Sequence, residues 1–281
     1  MDIKEQLDNL IEKNKNCFTF ANLTNETIKL ANDLLHDQVK TETMFITEGM
    51  WSYPYIKQNN IPISAIIINP ESIKSQMGLD LIKENLNKTP IFVISQKVLT
   101  KLSNRNDDNG VYIIGNLPNY NFDDIYKKEK CIICVLDGIE KPGNIGTVLR
   151  TSDATQIDGV VLVNRRAKLT NTKTVKGSMG AMFSVPTKTY DSTEDLITDL
   201  KKNGFSIYLA DTRAESDYFN FKYDNKVALV MGSERYGISK SWYGLSPILL
   251  KLKMLGQCDS LNVGVATSIL LYDIKMKQIG E

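Results

Sequence analysis

The sequence has one histidine, His36, four cysteines and two tryptophans among 281 residues. A single histidine without partners excludes a His-based hydrolase; placed among Leu34, Leu35 and Asp37, it reads as a surface or boundary residue of a helix. Cys17, Cys131, Cys134 and Cys258 are too scattered for a disulfide framework or a paired-CxxC zinc module. Cys131 and Cys134 have CxxC spacing, but on a strand such positions point to opposite faces, so no metal is expected. Nowhere do about 18 apolar residues run on, and the opening MDIKEQLDNLIEKNKN lacks an apolar h-region. Neither a membrane span nor secretion is expected, and a reducing, cytoplasmic compartment fits.

Neither acids nor bases predominate: 34 Lys and Arg against 33 Asp and Glu give a net charge of +1. That excludes a histone-like or polyacidic protein and little else. Divided at residue 125, the average separates into an acidic part, with 12 basic and 16 acidic residues, and a basic part with 22 and 17. Between Asp158 and Asp191 there is no acid, while Arg165, Arg166, Lys168, Lys173, Lys176 and Lys188 all fall there. Such a window is either a solvated face or a surface that tracks phosphates.

What is present is a soluble globular composition, 42% hydrophobic and 24% charged, long enough for two domains. Residues 24–39 carry Ile28, Leu30, Leu34, Leu35 and Val39 as a helical stripe with Thr24 or Asn25 as N-cap, and this helix is expected to open the first folded unit. MFITEG, SAIIIN, PIFVIS and GVYIIGN read as strands separated by helical stretches such as 72–87. The polar LPNYNFDDIYKKEK reads as a linker, dividing the chain into residues 1–125 and 126–281. In the second part CIICVLDGI, GVVLVN, FSIYLAD and KVALVMG alternate with helical segments, the pattern of a parallel α/β sheet whose ligands sit outside the carboxyl ends of its strands.

Three segments of that part carry chemistry. DGIEKPGNIGTVLRTSDATQIDG follows a strand, turns at Pro142-Gly143 and enters a helix presenting Arg150, with Asn144 six residues earlier; VALVMGSERYGIS feeds a strand into a loop holding Glu234. LKMLGQCDSLNVGVATSILLYDIKMK sets a polar cluster before a long helix, with Ser260 as a natural N-cap. A dinucleotide-binding oxidoreductase is the competing class, but GNIG is not GxGxxG and no acid follows at the expected offset. Trp51, Tyr53 and Tyr55 could stack on unpaired bases or line a partly buried loop.

PGNIGTVLRTSDA, LVMGSERYGIS and LKMLGQCDSLNVGVATS, in this order, resemble the three motifs of the SpoU/TrmH family of SPOUT RNA ribose 2′-O-methyltransferases. They are most similar to the thiostrepton-resistance type acting on 23S ribosomal RNA. The resemblance covers residues 131–277. More loosely, KTETMFITEG and the α/β pattern after it resemble the ribosomal-protein-like α/β domain that binds substrate in many members. The family resemblance implies a parallel-sheet catalytic domain with a deep trefoil knot, S-adenosylmethionine as cofactor, an RNA partner, ribosomal before transfer RNA, and a homodimer whose sites draw on both subunits.

Carried over by motif, the resemblance makes Asn144, Arg150, Glu234, Ser260 and Asn262 the catalytic residues. Leu209, Ala210, Gly232, Leu252, Met254, Gly256 and Leu261 would hold the cofactor, and no metal is implied; with an RNA partner, the acid-free window makes Arg165, Arg166, Lys168, Lys173 and Lys176 the expected RNA contacts. Arginine stays protonated at physiological pH, so Arg150 is expected to hold a phosphate and the developing oxyanion rather than act as base. Asn144 would orient Arg150 or the ribose, Ser260 and Asn262 would fix the loop and substrate, and Glu234 would pair with an arginine or cap a helix. The sequence departs from the family where Lys253 replaces a proline, Gly264 a serine and Met179 an arginine. A transfer RNA methyltransferase and a catalytically silent RNA binder are the alternatives.

Overall fold

The computed structural model describes residues 2–102 and 110–280. They form two compact units, one running to Pro118 and including Thr170–Val175, the other comprising Asn119–Leu169 and the chain from Lys176 onward.

The first unit contains α1 (Ile3–Lys13), β1 (Phe18–Ala21), α2 (Glu26–Leu35), β2 (Met44–Glu48), α3 (Tyr53–Gln58), β3 (Ile63–Ile68), α4 (Gln76–Asn85), β4 (Ile91–Ile94), α5 (Gln96–Leu102) and β5 (Val111–Asn116). Its sheet has the order β1-β4-β3-β5-β2, with β1, β4 and β3 parallel and β5 antiparallel to both neighbours. Ile46, Ala65, Ile67 and Ile114 form its core with Ile28, Ala31 and Leu34 of α2 and Val98 and Leu99 of α5. The expected opening helix is α2, capped by Asn25 onto Thr27 N at 2.9 Å. It does not open the unit, because α1 and β1 precede it. The charged stretch that forms α1 buries only Leu7 fully and starts with a capping box between Asp2 and Glu5.

Tyr53 belongs to a helix rather than a loop and is buried, its hydroxyl donating to Glu84 at 2.6 Å. Burial and that carboxylate push it up to about 12. Tyr55 is exposed, and Trp51 donates its indole N–H to the Glu48 carbonyl. His36 ends α2, its Nδ1 2.8 Å from the Asn32 carbonyl.

The second unit contains α6 (Phe122–Tyr126), β6 (Cys131–Asp137), α7 (Pro142–Ala154), β7 (Gly159–Val163), α8 (Thr172–Ser178), β8 (Thr187–Thr189), α9 (Thr193–Lys202), β9 (Ser206–Ala210), β10 (Lys226–Gly232), β11 (Ile248–Leu250) and α10 (Val263–Ile279). The first residues of α8 group with the first unit. The sheet runs β11-β9-β10-β6-β7-β8 with every pairing parallel, as the alternating pattern predicts. Every residue of β6 is buried, which explains its unbroken apolar run. Cys131 packs with Ile133 and Val135 while Cys134 lies off that cluster. Burial raises both thiols, Cys131 to about 12. Among the described residues no helix is long and apolar enough to cross a membrane.

Two further expectations are corrected. The units divide after Pro118 rather than near residue 125, because the polar stretch hides a helix: Phe122 and Tyr126 of α6 are buried in the core of the second unit, 5.5 Å apart edge to face. The turn expected at Pro142-Gly143 is the first turn of α7, where proline's missing N–H costs no hydrogen bond.

Because all strands of the second sheet are parallel, the loops after β6, β7, β9 and β10 emerge along one edge. Asp137, at the end of β6, joins two of them, accepting from Asn164 Nδ2 and from Ser239 N, each at 2.7 Å. Leu229 on the central β10 is fully buried. Leu229→Ala is expected to cost about 2–5 kcal/mol, read as a lower urea midpoint for the second unit.

Candidate active site

The three chemical segments converge at this edge through their side chains. Asn262 is the N-cap of α10, its Oδ1 accepting from Gly264 N at 3.0 Å and Val265 N at 3.4 Å. That role, expected of Ser260, falls to Asn262 because the helix begins at Val263. With Oδ1 committed to the helix, Asn262 Nδ2 donates to Asn144 Oδ1 at 3.1 Å. Asn144 Nδ2 in turn donates to Glu234 Oε1 at 2.5 Å. Lys141 reaches the same carboxylate oxygen at 3.5 Å. The amide orientations therefore follow from one another, starting at the backbone of α10. One N–H of Asn144 is left for a substrate.

α7 and α10 run together along this contact. Thr151 and Ser268 share a hydrogen bond of 2.7 Å, and Gly264 lies so close to α7 that a Cβ would sit 3.0 Å from Thr147 Cγ2. A serine at 264 would press on that helix, which accounts for glycine there. The loop after β10 is equally close-set: Ser233 and Gly237 exchange backbone hydrogen bonds of 3.1 and 3.0 Å. A Cβ on Gly232 would meet the Gly237 and Ile238 backbone within 2.6 Å.

Between this loop and the segment leading to α10 lies a cavity of about 400 Å³, a size usual for small-molecule sites. Of the residues expected to hold a cofactor, Ala210, Gly232, Leu252, Met254 and Leu261 line it, together with the expected catalytic Glu234 and Ser260. Leu209 does not line it; its side chain is fully buried in the core cluster. Gly256 is exposed in the loop and is not part of the wall.

Arg150 stands apart from the network. Six residues beyond Asn144 on a helix of about 3.6 residues per turn, it leaves α7 about 120° around from it. It is exposed. The basic window is divided as well. Arg165 and Arg166 are exposed on the loop after β7 and Lys168 is half-buried. Lys173 lies in the segment that groups with the first unit, and Lys176 is an exposed residue of the second. Lys188 turns inward, its amine 2.9 Å from Tyr190 Oη.

Several lining residues were missed in the sequence. Asp211, directly after β9, receives Arg213 at both oxygens, Nε at 3.0 Å and Nη2 at 2.8 Å, and the Tyr243 hydroxyl at 2.5 Å. All three line the cavity, as does Tyr236. The position of Asp211 at a strand's carboxyl end was the available signal; nothing in the spacing marks Tyr243.

A model of the SpoU rRNA Methylase family matches residues 131–272, which hold all three segments. The chain belongs to this family. A relative assigned to the TrmH family of tRNA/rRNA methyltransferases, from Staphylococcus aureus (strain COL), is 33% identical over 229 residues, covering 78% of this chain and 92% of its own length. Among solved structures, the SpoU methyltransferase AviRb of Streptomyces viridochromogenes with AdoMet matches at a TM-score of 0.82 and 22% identity, over 91% of this chain and 99% of AviRb. An RNA 2′-O ribose methyltransferase matches at 0.75 and 24%, over 93% of this chain and 99% of its own. This SpoU chain thus shares their α/β fold.

Arg213 and the Tyr243 hydroxyl hold the Asp211 carboxyl well below the usual carboxylate range. Folding therefore favours its ionised form. The resulting stability is fully present above about pH 4 and is lost as pH falls below it. Asp211→Asn is expected to flatten the acid side of the stability curve, measured by thermal melts across that range.

Proposed function

We propose that this SpoU family member is an S-adenosylmethionine-dependent methyltransferase that modifies a ribose 2′-hydroxyl in RNA, with ribosomal 23S RNA as substrate. The observation that carries the reading is the hydrogen-bonded Asn262–Asn144–Glu234 chain set beside a cavity with an apolar wall and a polar end. Met254, Leu252, Leu261 and Ile238 suit an adenine, and Glu234, Asp259 and Ser260 suit a ribose and an amino-acid end. Asp211 and Arg213 neutralise one another, which leaves Lys251 as the other cation of the lining rather than the cluster that a polyphosphate requires. When bound, S-adenosylmethionine supplies a sulfonium-activated methyl group.

The chain's own task is to place the 2′-hydroxyl and to stabilise charge as it develops on that oxygen. Asn144, held at both ends, offers its remaining N–H in a fixed direction. Glu234 and Lys141 fix that amide. Arg150, a permanent cation, holds the neighbouring phosphate and the oxyanion, and the proton leaves to phosphate or water.

Arg150 lies outside the network of its own chain, which supports a homodimer in which one copy completes the site of the other. A second observation favours the same assembly. Val265, Tyr272 and Ile279, spaced by seven residues along α10, are 47%, 45% and 55% exposed, an apolar stripe of the kind that packs against another helix. The trefoil knot belongs to this reading and is supported by residues 251–262 and the 232–238 loop meeting at one cavity while α10 packs on α7. The first unit serves as the RNA-binding domain, supported by Phe20, 70% exposed in a cleft whose polar lining is Lys4, Asp8, Asn22, Glu71, Ser95 and Gln96 with Asn69; its ring is a flat face on which an unpaired base can stack.

The test is transfer of labelled methyl to deproteinised ribosomal RNA and, separately, to transfer RNA. Ribosomal RNA is expected to accept; acceptance by transfer RNA alone overturns the substrate assignment, and acceptance by neither overturns the activity. Arg150→Ala is expected to slow transfer by about 100-fold or more with cofactor affinity unchanged in calorimetry. Tyr272→Glu is expected to shift the sedimenting species from dimer to monomer; a monomeric wild type would refute the dimer.

A further inference from the structure

The rim of the cavity carries a cluster that the reaction as described does not use. Tyr236 is 59% exposed at the tip of the loop after β10, and its backbone N–H is held by Ser233 Oγ at 2.9 Å. Two guanidinium groups gather on its ring. Arg166, from the loop after β7, stands 4.7 Å from the ring centroid, and Arg235, its sequence neighbour, stands at 5.2 Å. Arg166 also meets Glu140, from the loop after β6, at 3.5 Å. The ring attracts both cations without neutralising either. Against these two guanidinium groups stands the Glu140 carboxylate, which meets Arg166.

The position gives this arrangement a purpose. Tyr236 and Glu234 both line the cavity, so the two arginines sit where a substrate ribose would approach. A ribose inside a polynucleotide is flanked by two phosphodiesters, one on its 3′ oxygen next to the 2′-hydroxyl and one on its 5′ oxygen. A bound phosphate beside the mouth would set where along the strand the hydroxyl meets the site. Resting on the proposed RNA methyltransferase activity, we infer that Arg166 and Arg235, assembled on Tyr236, form a clamp for one of the two RNA backbone phosphates that flank the target ribose, the other being the one assigned to Arg150. Such a clamp positions the strand without reading its bases. Two of its three members lie outside the basic window between Asp158 and Asp191.

The measurement is binding of deproteinised ribosomal RNA at several salt concentrations, with S-adenosylmethionine affinity measured in parallel. Arg166→Gln/Arg235→Gln is expected to weaken RNA binding and to reduce the salt slope by about 1 for each phosphate no longer held, leaving cofactor affinity unchanged. Tyr236→Leu, which removes no charge, is expected to weaken RNA binding too, whereas Tyr236→Phe, which keeps the ring, binds RNA like the wild type. A double arginine variant with unchanged affinity and slope overturns the clamp, as does Tyr236→Leu that binds RNA like the wild type. If that wild type transfers methyl groups to RNA, only the clamp falls. A wild type that binds neither RNA nor cofactor overturns both the clamp and the activity on which it rests.

Discussion

The first backbone N–H groups of α10 need an acceptor, and Asn262 supplies it. Everything at the site follows from that cap. Its amide oxygen is spent on the helix, so its nitrogen must face outward to Asn144. Asn144 must then turn its own nitrogen to Glu234. Three segments far apart in the chain become one rigid group, and its orientation derives from a helix end rather than from flexible side chains. Where α7 and α10 touch, Gly264 and the Thr151–Ser268 contact keep the helices close enough for the amides to meet.

The sheet supplies the second constraint. With every strand of the second unit parallel, the functional loops share one edge, and neighbouring loops tie to each other through Asp137, Asn164 and Ser239. The cavity forms between the Gly232 turn and the segment before α10. Its apolar wall comes from Ile238, Leu252, Met254 and Leu261 in the loops as well as from strand ends, and Asp211, Glu234, Asp259 and Ser260 make it polar elsewhere. The same edge gathers Arg166, Arg235 and Tyr236 at the rim, so the proposed places for the methyl donor and for the polyanion adjoin.

Much of this was readable beforehand. The four strands CIICVLD, GVVLV, SIYLA and KVALVMG are found where their apolar runs predicted them, because β-branched and apolar runs bounded by turns have few other uses. Asn144, Glu234 and Asn262, one from each of the three segments, are joined by hydrogen bonds, and Ser260 lines the cavity beside them. The errors have physical causes. A five-residue helix with two buried aromatics, α6, looks like a polar linker because its apolar residues are interrupted by two aspartates and flanked by asparagine and lysine. Leu209 and Ala210 adjoin in sequence, but a strand sends neighbours to opposite faces, and only Ala210 reaches the cavity. Lys188 counts as a cation in the acid-free window yet lies on the Tyr190 ring at 4.2 Å.

Residue pattern alone determined the alternation of strand and helix, the motifs that identify the family and the residue types at the site, because these depend on local periodicity and on which side chains can do the chemistry. Tertiary structure decided that Asn262 meets Asn144, that Asp211 pairs with Tyr243 at the cavity, and that Arg166 meets Tyr236 from another loop. Those contacts join residues tens of positions apart, and the partner of a hydrogen bond or a ring is set by how strands are ordered in the sheet, which no local pattern encodes. The near-zero net charge shows the same division. Composition counts charges, but only the fold determines which of them face the place where an anion would bind.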